Sequence, residues 1–162
     1  MGWNACVAAF EATETGMFCI RRMREEDLAD VARLEKEIFS DPWSENAIRE
    51  SMEQSQTLLL SALEDGVLVG YLIVYYVLED GEIARIAVES DFRRNGVASR
   101  LLKELAFICA DNGVNKLLLD VRESNESAKA FYKKKGFVLD GVRKNYYTNP
   151  TENAILMSLE LL

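Results

Sequence analysis

The sequence predicts a mixed α/β fold, a mostly antiparallel sheet flanked by helices, with the element order β-α-α-β-β-β-α-β-α-β-β. Three observations carry the prediction. Apolar residues recur at three-to-four spacing in some segments and in short strand-like runs in others, so the chain alternates between two periods. Consecutive strand-like runs in the first half are joined by acidic turns ending in glycine, which reads as an antiparallel meander. The run Leu117-Leu118-Leu119 then stands between two helical segments, as in a central strand covered on both faces. A chain of 162 residues with 49% hydrophobic content can bury the core of one domain.

The elements follow in order. Residues 1–16 have no clear period and read as an extension, so the domain is expected over 17–162. Met17 to Met23 is the first strand. Arg24-Glu25-Glu26-Asp27 places acidic residues at a helix start, and Leu28, Val31, Leu34, Glu35 and Ile38 supply the helical spacing. Asp41-Pro42-Trp43-Ser44 breaks that helix, and Ser44 is the N-cap candidate for a second one through Ile48 and Met52. Strands at 57–63 and 67–78 form a hairpin across Glu64-Asp65-Gly66, and a third at 82–88 follows Glu79-Asp80-Gly81. A helix over 96–112, with Val97, Leu101, Leu102, Leu105, Ile108 and Cys109 on its apolar side, closes at Asp111-Asn112-Gly113. Strand 116–121, helix 126–135 ending at Gly136, and strands 137–142 and 154–161 complete the chain. The last two are joined by Arg143-Lys144-Asn145-Tyr146-Tyr147 and a turn at Asn149-Pro150.

Composition excludes several chemistries. There is no His, which removes the commonest metal ligand, general base and partner for a Ser or Cys nucleophile, and no metal is expected. Three cysteines without a CxxC pair argue against a disulfide framework, and Cys109 is expected in the core. Nineteen Lys and Arg against 27 Asp and Glu give a net charge of -8, which favours a basic peptide over nucleic acid as a partner, although an acidic balance also serves solubility alone. No apolar run approaches the roughly 18 residues that span a bilayer, so a cytoplasmic location without a membrane partner is expected. Gly2 invites myristoylation, but Cys6 stands where a serine or threonine is required.

The segment richest in chemistry is Ile86 through Ala98, where a strand runs through a polar loop directly into a helix. Free backbone N–H groups at that junction, the helix dipole and Gly96 make a site for a pyrophosphate. The alternative is an ordinary loop with solvated arginines. The Walker and Rossmann glycine patterns are both absent. Arg93-Arg94-Asn95-Gly96-Val97-Ala98 resembles the acetyl-CoA-binding signature of the GNAT acetyltransferases. Phe39-Ser40-Asp41-Pro42-Trp43-Ser44, Leu119 to Asn125, Ala130-Phe131-Tyr132 through Gly136-Phe137, and Arg143 to Tyr147 are similar in order and spacing to the RimI-type ribosomal-protein alanine N-acetyltransferases. The resemblance spans roughly 17–162.

That resemblance implies an enzyme that transfers acetyl from acetyl-CoA to the N-terminal α-amine of a protein, namely the terminal alanine of small-subunit ribosomal protein number eighteen. The backbones of Ile86, Ala87 and Val88 would hold the pantetheine arm, and Arg94, Asn95, Gly96, Val97, Ala98 and Ser99 would wrap the pyrophosphate. A backbone N–H, that of Val88, would stabilise the oxyanion. Tyr132 is implied as general acid, or else as packing beneath the cofactor. Asn125 would bond the cofactor arm, cap the following helix, or do both. The family pattern has glutamate where Asp120 stands, so Asp120 is the first candidate for general base, with Glu82 and Glu123 as alternatives and an ion pair to Arg122 or Arg85 as its other reading. Trp43, Tyr146 and Tyr147 would shape the peptide entrance. Two further readings stay open: a GNAT enzyme acting on a lysine, polyamine or antibiotic amine, and an acyl-CoA sensor with weak catalysis.

Overall fold

A computed structural model describes residues 18–161; the extension expected over 1–16 and the site considered at Gly2 lie outside the described residues. The elements are β1 (Phe18–Arg22), α1 (Leu28–Ile38), α2 (Glu45–Glu53), β2 (Thr57–Glu64), β3 (Val67–Val77), β4 (Asp80–Val88), α3 (Val97–Asp111), β5 (Lys116–Arg122), α4 (Glu126–Lys134), β6 (Val138–Tyr147) and β7 (Glu152–Glu160), with short 3-10 turns before α1 and after β4. The expected order is observed. One sheet holds the strands in the order β1-β2-β3-β4-β5-β7-β6, and only the β4–β5 pair is parallel.

Helices cover both faces. On one face α3 sends Leu101, Leu105 and Ile108 onto Leu58, Leu60, Leu72 and Leu117, all nearly or fully buried. On the other, Leu28, Val31 and Leu34 of α1 and Ile48 of α2 pack on Leu59, Tyr71 and Ile73. Each such aliphatic side chain removed from water contributes about 1.5–3 kcal/mol. Local signals agree with this packing. The Ser44 hydroxyl accepts the Ala47 N–H at the start of α2. Cys109 is fully buried beside Tyr76, and burial pushes its thiol up to about 12, which makes it core rather than a reactive thiol.

Two expectations differ from the structure. Leu118 is only half-buried while Leu117 and Leu119 are buried, because α1 and α2 lie over β2 and β3 and leave that face of β5 open. Arg143 to Tyr147 extends β6 instead of linking two strands. The run lacks apolar alternation because β6 is an edge strand exposed along most of its length, and its pairing with β7 is irregular between Arg143 and Tyr147.

Candidate active site

The site grows from a split in the sheet. β4 and β5 pair from Asp80↔Lys116 to Ile83↔Leu119 and then part, β4 continuing along β3 and β5 along β7. A bulge at the divergence sets Arg85 against Ile73 and Ile83 against Val74, leaving Ala84 as the additional residue. Antiparallel ladders alternate the direction of their backbone groups. Since the Glu89 N–H donates to the Val69 carbonyl at 2.9 Å, alternation turns Ala87 toward β3 and the N–H edges of Ile86 and Val88 toward the split. The structure therefore divides the Ile86-Ala87-Val88 trio: two residues face the gap, and the backbone of the third belongs to the sheet.

Beyond β4 the chain reaches the N-terminus of α3. Gly96 sits there at φ +83° and Arg94 at φ +66°, so the loop turns twice through the left-handed region. No side chain caps α3; Arg100 is the first residue whose N–H returns to the Gly96 carbonyl, which leaves the earlier N–H groups of Val97, Ala98 and Ser99 without helical partners. A Cβ placed on Gly96 meets nothing within 4 Å, so the approach to these donors is open. Arg93 is held back toward the strand, its Nε donating to the Val88 carbonyl at 3.2 Å, while Arg94 and Asn95 are exposed. Open strand edges leading to a free helix N-terminus fit a long cofactor arm ending in a pyrophosphate.

A cavity of about 540 Å³ occupies the split, lined by Ile86 and Glu82 of β4, Asp120 and Arg122 of β5, Asn125 at the N-cap of α4 and Tyr132 within it, and Trp43, Tyr146 and Tyr147. It brings together Asp120, Tyr132, Asn125 and Ile86, whereas Ala87, Val88 and Arg94 to Ser99 lie outside it along the course of β4 and α3. α4 fixes the Tyr132 position at both ends. The Asn125 carboxamide oxygen accepts the Ala128 N–H at 3.2 Å, so its capping role is present. Beyond α4, Gly136 takes φ +98°, and the N–H groups of Phe137 and Gly136 return to the carbonyls of Tyr132 and Lys133. The Tyr132 ring lies edge-on between Phe131 and Phe137 at 5.3 and 5.4 Å. Burial, with nearby Tyr147, raises its phenol well above the ordinary value, so it stays protonated at neutral pH. Burial also pushes Tyr147 up to about 12, with the Asp120 carboxylate adding to the shift.

Asp120 pairs with neither Arg122 nor Arg85; its Oδ2 lies 3.8 Å from Arg143 Nη1. The two expected partners are engaged elsewhere, Arg122 with Glu152 at 3.2 Å and Arg85 with Glu35 at 3.1 Å. Glu35 is the residue that sequence reasoning passed over. It is fully buried and accepts from the Tyr71 hydroxyl at 2.7 Å, the Trp43 N–H at 2.9 Å and Arg85 Nε at 3.1 Å. Arg85 also donates to the Asp41 carbonyl and lies over the rings of Phe39 and Trp43 at 4.4 and 4.8 Å. The pair thus shapes the α1–α2 connection that walls the cavity. Its signal in the sequence was a carboxylate inside the apolar stripe of α1. Among the described residues no group of three or more side chains could hold a metal, and no helix is long and apolar enough to cross a membrane.

Comparison with known proteins agrees with this geometry. The model of the acetyltransferase (GNAT) family matches residues 28–137. The [ribosomal protein bS18]-alanine N-acetyltransferase of Escherichia coli K12 is 32% identical over 147 residues, 90% of this chain and 99% of that one. The crystal structure of the ribosomal-protein-S18-alanine N-acetyltransferase from Escherichia coli superposes with a TM-score of 0.82 at 31% identity, covering 90% of this chain and 94% of that one. Ard1 from Thermoplasma volcanium gives 0.83 at 27% identity, covering 90% and 98%. The split between β4 and β5, the free N-terminus of α3 and these matches together establish that the chain belongs to the GNAT family of acetyltransferases.

Proposed function

We propose that this protein transfers acetyl from acetyl-CoA to the N-terminal α-amine of a protein, with the terminal alanine of ribosomal protein bS18 as the acceptor. The observation that carries the reading is the cavity at the β4–β5 split, which sets the Asp120 carboxylate and the protonated Tyr132 phenol on one space entered past aromatic walls. The naming of relatives over nearly the whole chain supports the choice of acceptor.

Acetyl-CoA supplies the acetyl group as an activated thioester. The edges of Ile86 and Val88, which face the split, would hold its arm, the Val88 N–H would stabilise the negative charge that develops on the carbonyl oxygen, and the N–H groups from Arg94 to Ser99 would receive the pyrophosphate. Asp120 takes the proton from the attacking amine, directly or through water, and Tyr132 gives its phenolic proton to the departing sulfur. The Asn125 oxygen caps α4, and its amide nitrogen serves the cofactor arm. An α-amine, with a pKa of about 7.7–8.0 against about 10.4 for lysine, is partly neutral near pH 7.5 and asks little of the base. In this reading the enzyme works in the cytoplasm on a basic peptide that suits its net charge of -8, and does not grip nucleic acid.

The test is thiol release from acetyl-CoA with two peptides, one beginning with a free alanine and a matched one with a blocked terminus and an internal lysine. Turnover confined to the free terminus supports the proposal. Turnover on the blocked peptide assigns a lysine acceptor instead.

A further inference from the structure

Arg122 ends the strand that carries Asp120, and its guanidinium is unusually occupied. Nη1 donates to the Pro150 carbonyl at 3.1 Å and to Glu152 Oε2 at 3.2 Å; Nη2 donates to the Thr148 carbonyl at 2.8 Å and to the Ser40 hydroxyl at 2.9 Å. The same group lies 4.5 Å from the centre of the Tyr147 ring. Glu152 is fixed in turn, its other oxygen accepting the Ser124 N–H, and this bond together with Arg122 holds the carboxyl below its ordinary range. A second tie runs beside the first: the Asp41 carboxylate accepts from Thr148 Oγ1 at 3.1 Å and Asn149 Nδ2 at 3.2 Å.

These bonds join segments far apart in sequence. Ser40 and Asp41 belong to the α1–α2 connection, and Thr148 to Pro150 form the β6–β7 turn. The two segments meet at the edge of the cavity, which Ser40, Asp41, Arg122 and Tyr147 line. Such a bridge across an exposed mouth adds little to the core. It sets the distance between two walls that otherwise share no backbone pairing.

We propose that Arg122 is a positioning residue for acceptor binding: its planar fork, with the Asp41 tie, holds the α1–α2 connection and the β6–β7 turn at the spacing that admits the acceptor's terminus. The inference rests on the acetyl-transfer reading for its kinetic consequence but not for its structural one. A fork with fixed donor directions reaches four acceptors at once, whereas a lysine ammonium has three donors and no such geometry. The role is thus specific to arginine. Arg122 does not touch the reacting atoms in this account; it acts through Tyr147 and the two wall segments.

The experiment compares wild type with Arg122→Lys, Arg122→Gln and Thr148→Val by steady-state kinetics and by amide hydrogen exchange. The KM for the alanine peptide is expected to rise about tenfold in both Arg122 variants, and less in Thr148→Val. The KM for acetyl-CoA stays within about twofold. Exchange is expected to quicken together in residues 39–43 and 147–150. Quickening in 147–150 alone, with the other wall unchanged, reduces Arg122 to a brace of its own hairpin and overturns the proposal. So does full rescue of peptide KM by lysine, or an equal rise in both KM values. If wild type acetylates no α-amine, the acetyl-transfer reading fails while the exchange comparison still decides the bridge. If the arginine variants do not fold, Ser40→Ala, which removes the exposed hydroxyl that accepts from Arg122, is read in the same way, while Thr148→Val reports on the Asp41 tie.

Discussion

At the scale of single residues, the chemistry rests on what burial does to a phenol. Tyr132 is almost fully buried and held above its ordinary pKa, so it carries a proton near neutral pH, where part of the α-amine is uncharged. Tyr132→Phe keeps the edge-on packing with Phe131 and Phe137 and removes only the hydroxyl. Its kcat is expected to fall about a hundredfold, with acetyl-CoA affinity changed less than about threefold, measured by turnover and by equilibrium titration of the cofactor. Equal loss in both would make Tyr132 a packing residue. A second expectation concerns Glu35. Removing one partner of a buried ion pair strands the other charge, so Glu35→Ala is expected to cost about 3–5 kcal/mol in urea unfolding. That Asp120, Asn125 and Tyr132 belong to one site was legible because each sits in a short motif with fixed spacing. Glu35 was not, since its partner Arg85 is 50 positions away and the sequence shows only a carboxylate in an apolar stripe. Likewise the sequence paired Asp120 with Arg122 or Arg85, its near neighbours in chain or sheet, because the strand order that sets β6 beside β7, one strand from β5, and so brings Arg143 within reach is a tertiary outcome.

At the scale of elements, α3 and β4 work as one device for a cofactor. The turn between them needs two left-handed residues, and only at Gly96 is that conformation free of side-chain cost. The space beside Gly96 is open, so a substitution there does not disturb the core. Gly96→Glu is expected to abolish acetyl-CoA binding, a loss of at least about a hundredfold in titration, through a carboxylate set against the pyrophosphate at the helix N-terminus. The thermal midpoint should fall by only a few degrees, since the strain is about 1 kcal/mol. A midpoint collapse in place of a binding defect would contradict this. Element order was readable throughout because turn glycines and helix caps mark nearly every boundary: Ser44 and Asn125 cap α2 and α4 as the sequence indicates. β6 was harder. An edge strand exposed on both faces has no apolar rhythm to read, so its second half looks like a loop. The alternation that turns Ile86 and Val88, but not Ala87, toward the split depends on register, which one strand alone does not reveal.

At the scale of the whole molecule, the α1–α2 layer is tied to the sheet by buried charge as well as by apolar packing, whereas α3 packs on the other face through apolar side chains. Asp27, nearly buried, accepts from Arg21 at 2.6 and 2.9 Å, from the Arg24 N–H at 2.9 Å and from the Ser61 hydroxyl at 2.9 Å, joining β1, the entry to α1 and β2. Burial pushes its carboxyl up, but these bonds outweigh it and hold the pKa below the ordinary value. A carboxyl lowered by folding stabilises the protein above its unfolded pKa of about 3.9, and that contribution is lost as pH falls through the lowered folded value. Urea midpoints should therefore drop between about pH 5 and pH 3 in wild type, and drop less steeply over that window in Asp27→Asn. The same slope in both proteins would remove Asp27 from the account. The split sheet, the open α3 terminus and the cavity between the α1–α2 and β6–β7 walls make a coherent route from cofactor to acceptor. The most direct test of that route is mass-spectrometric mapping of the acetyl group on one peptide that offers both a free N-terminal alanine and an internal lysine. Acetyl found on the α-amine alone is the result this structure predicts; acetyl on the lysine ε-amine, with the terminus left free, would contradict it.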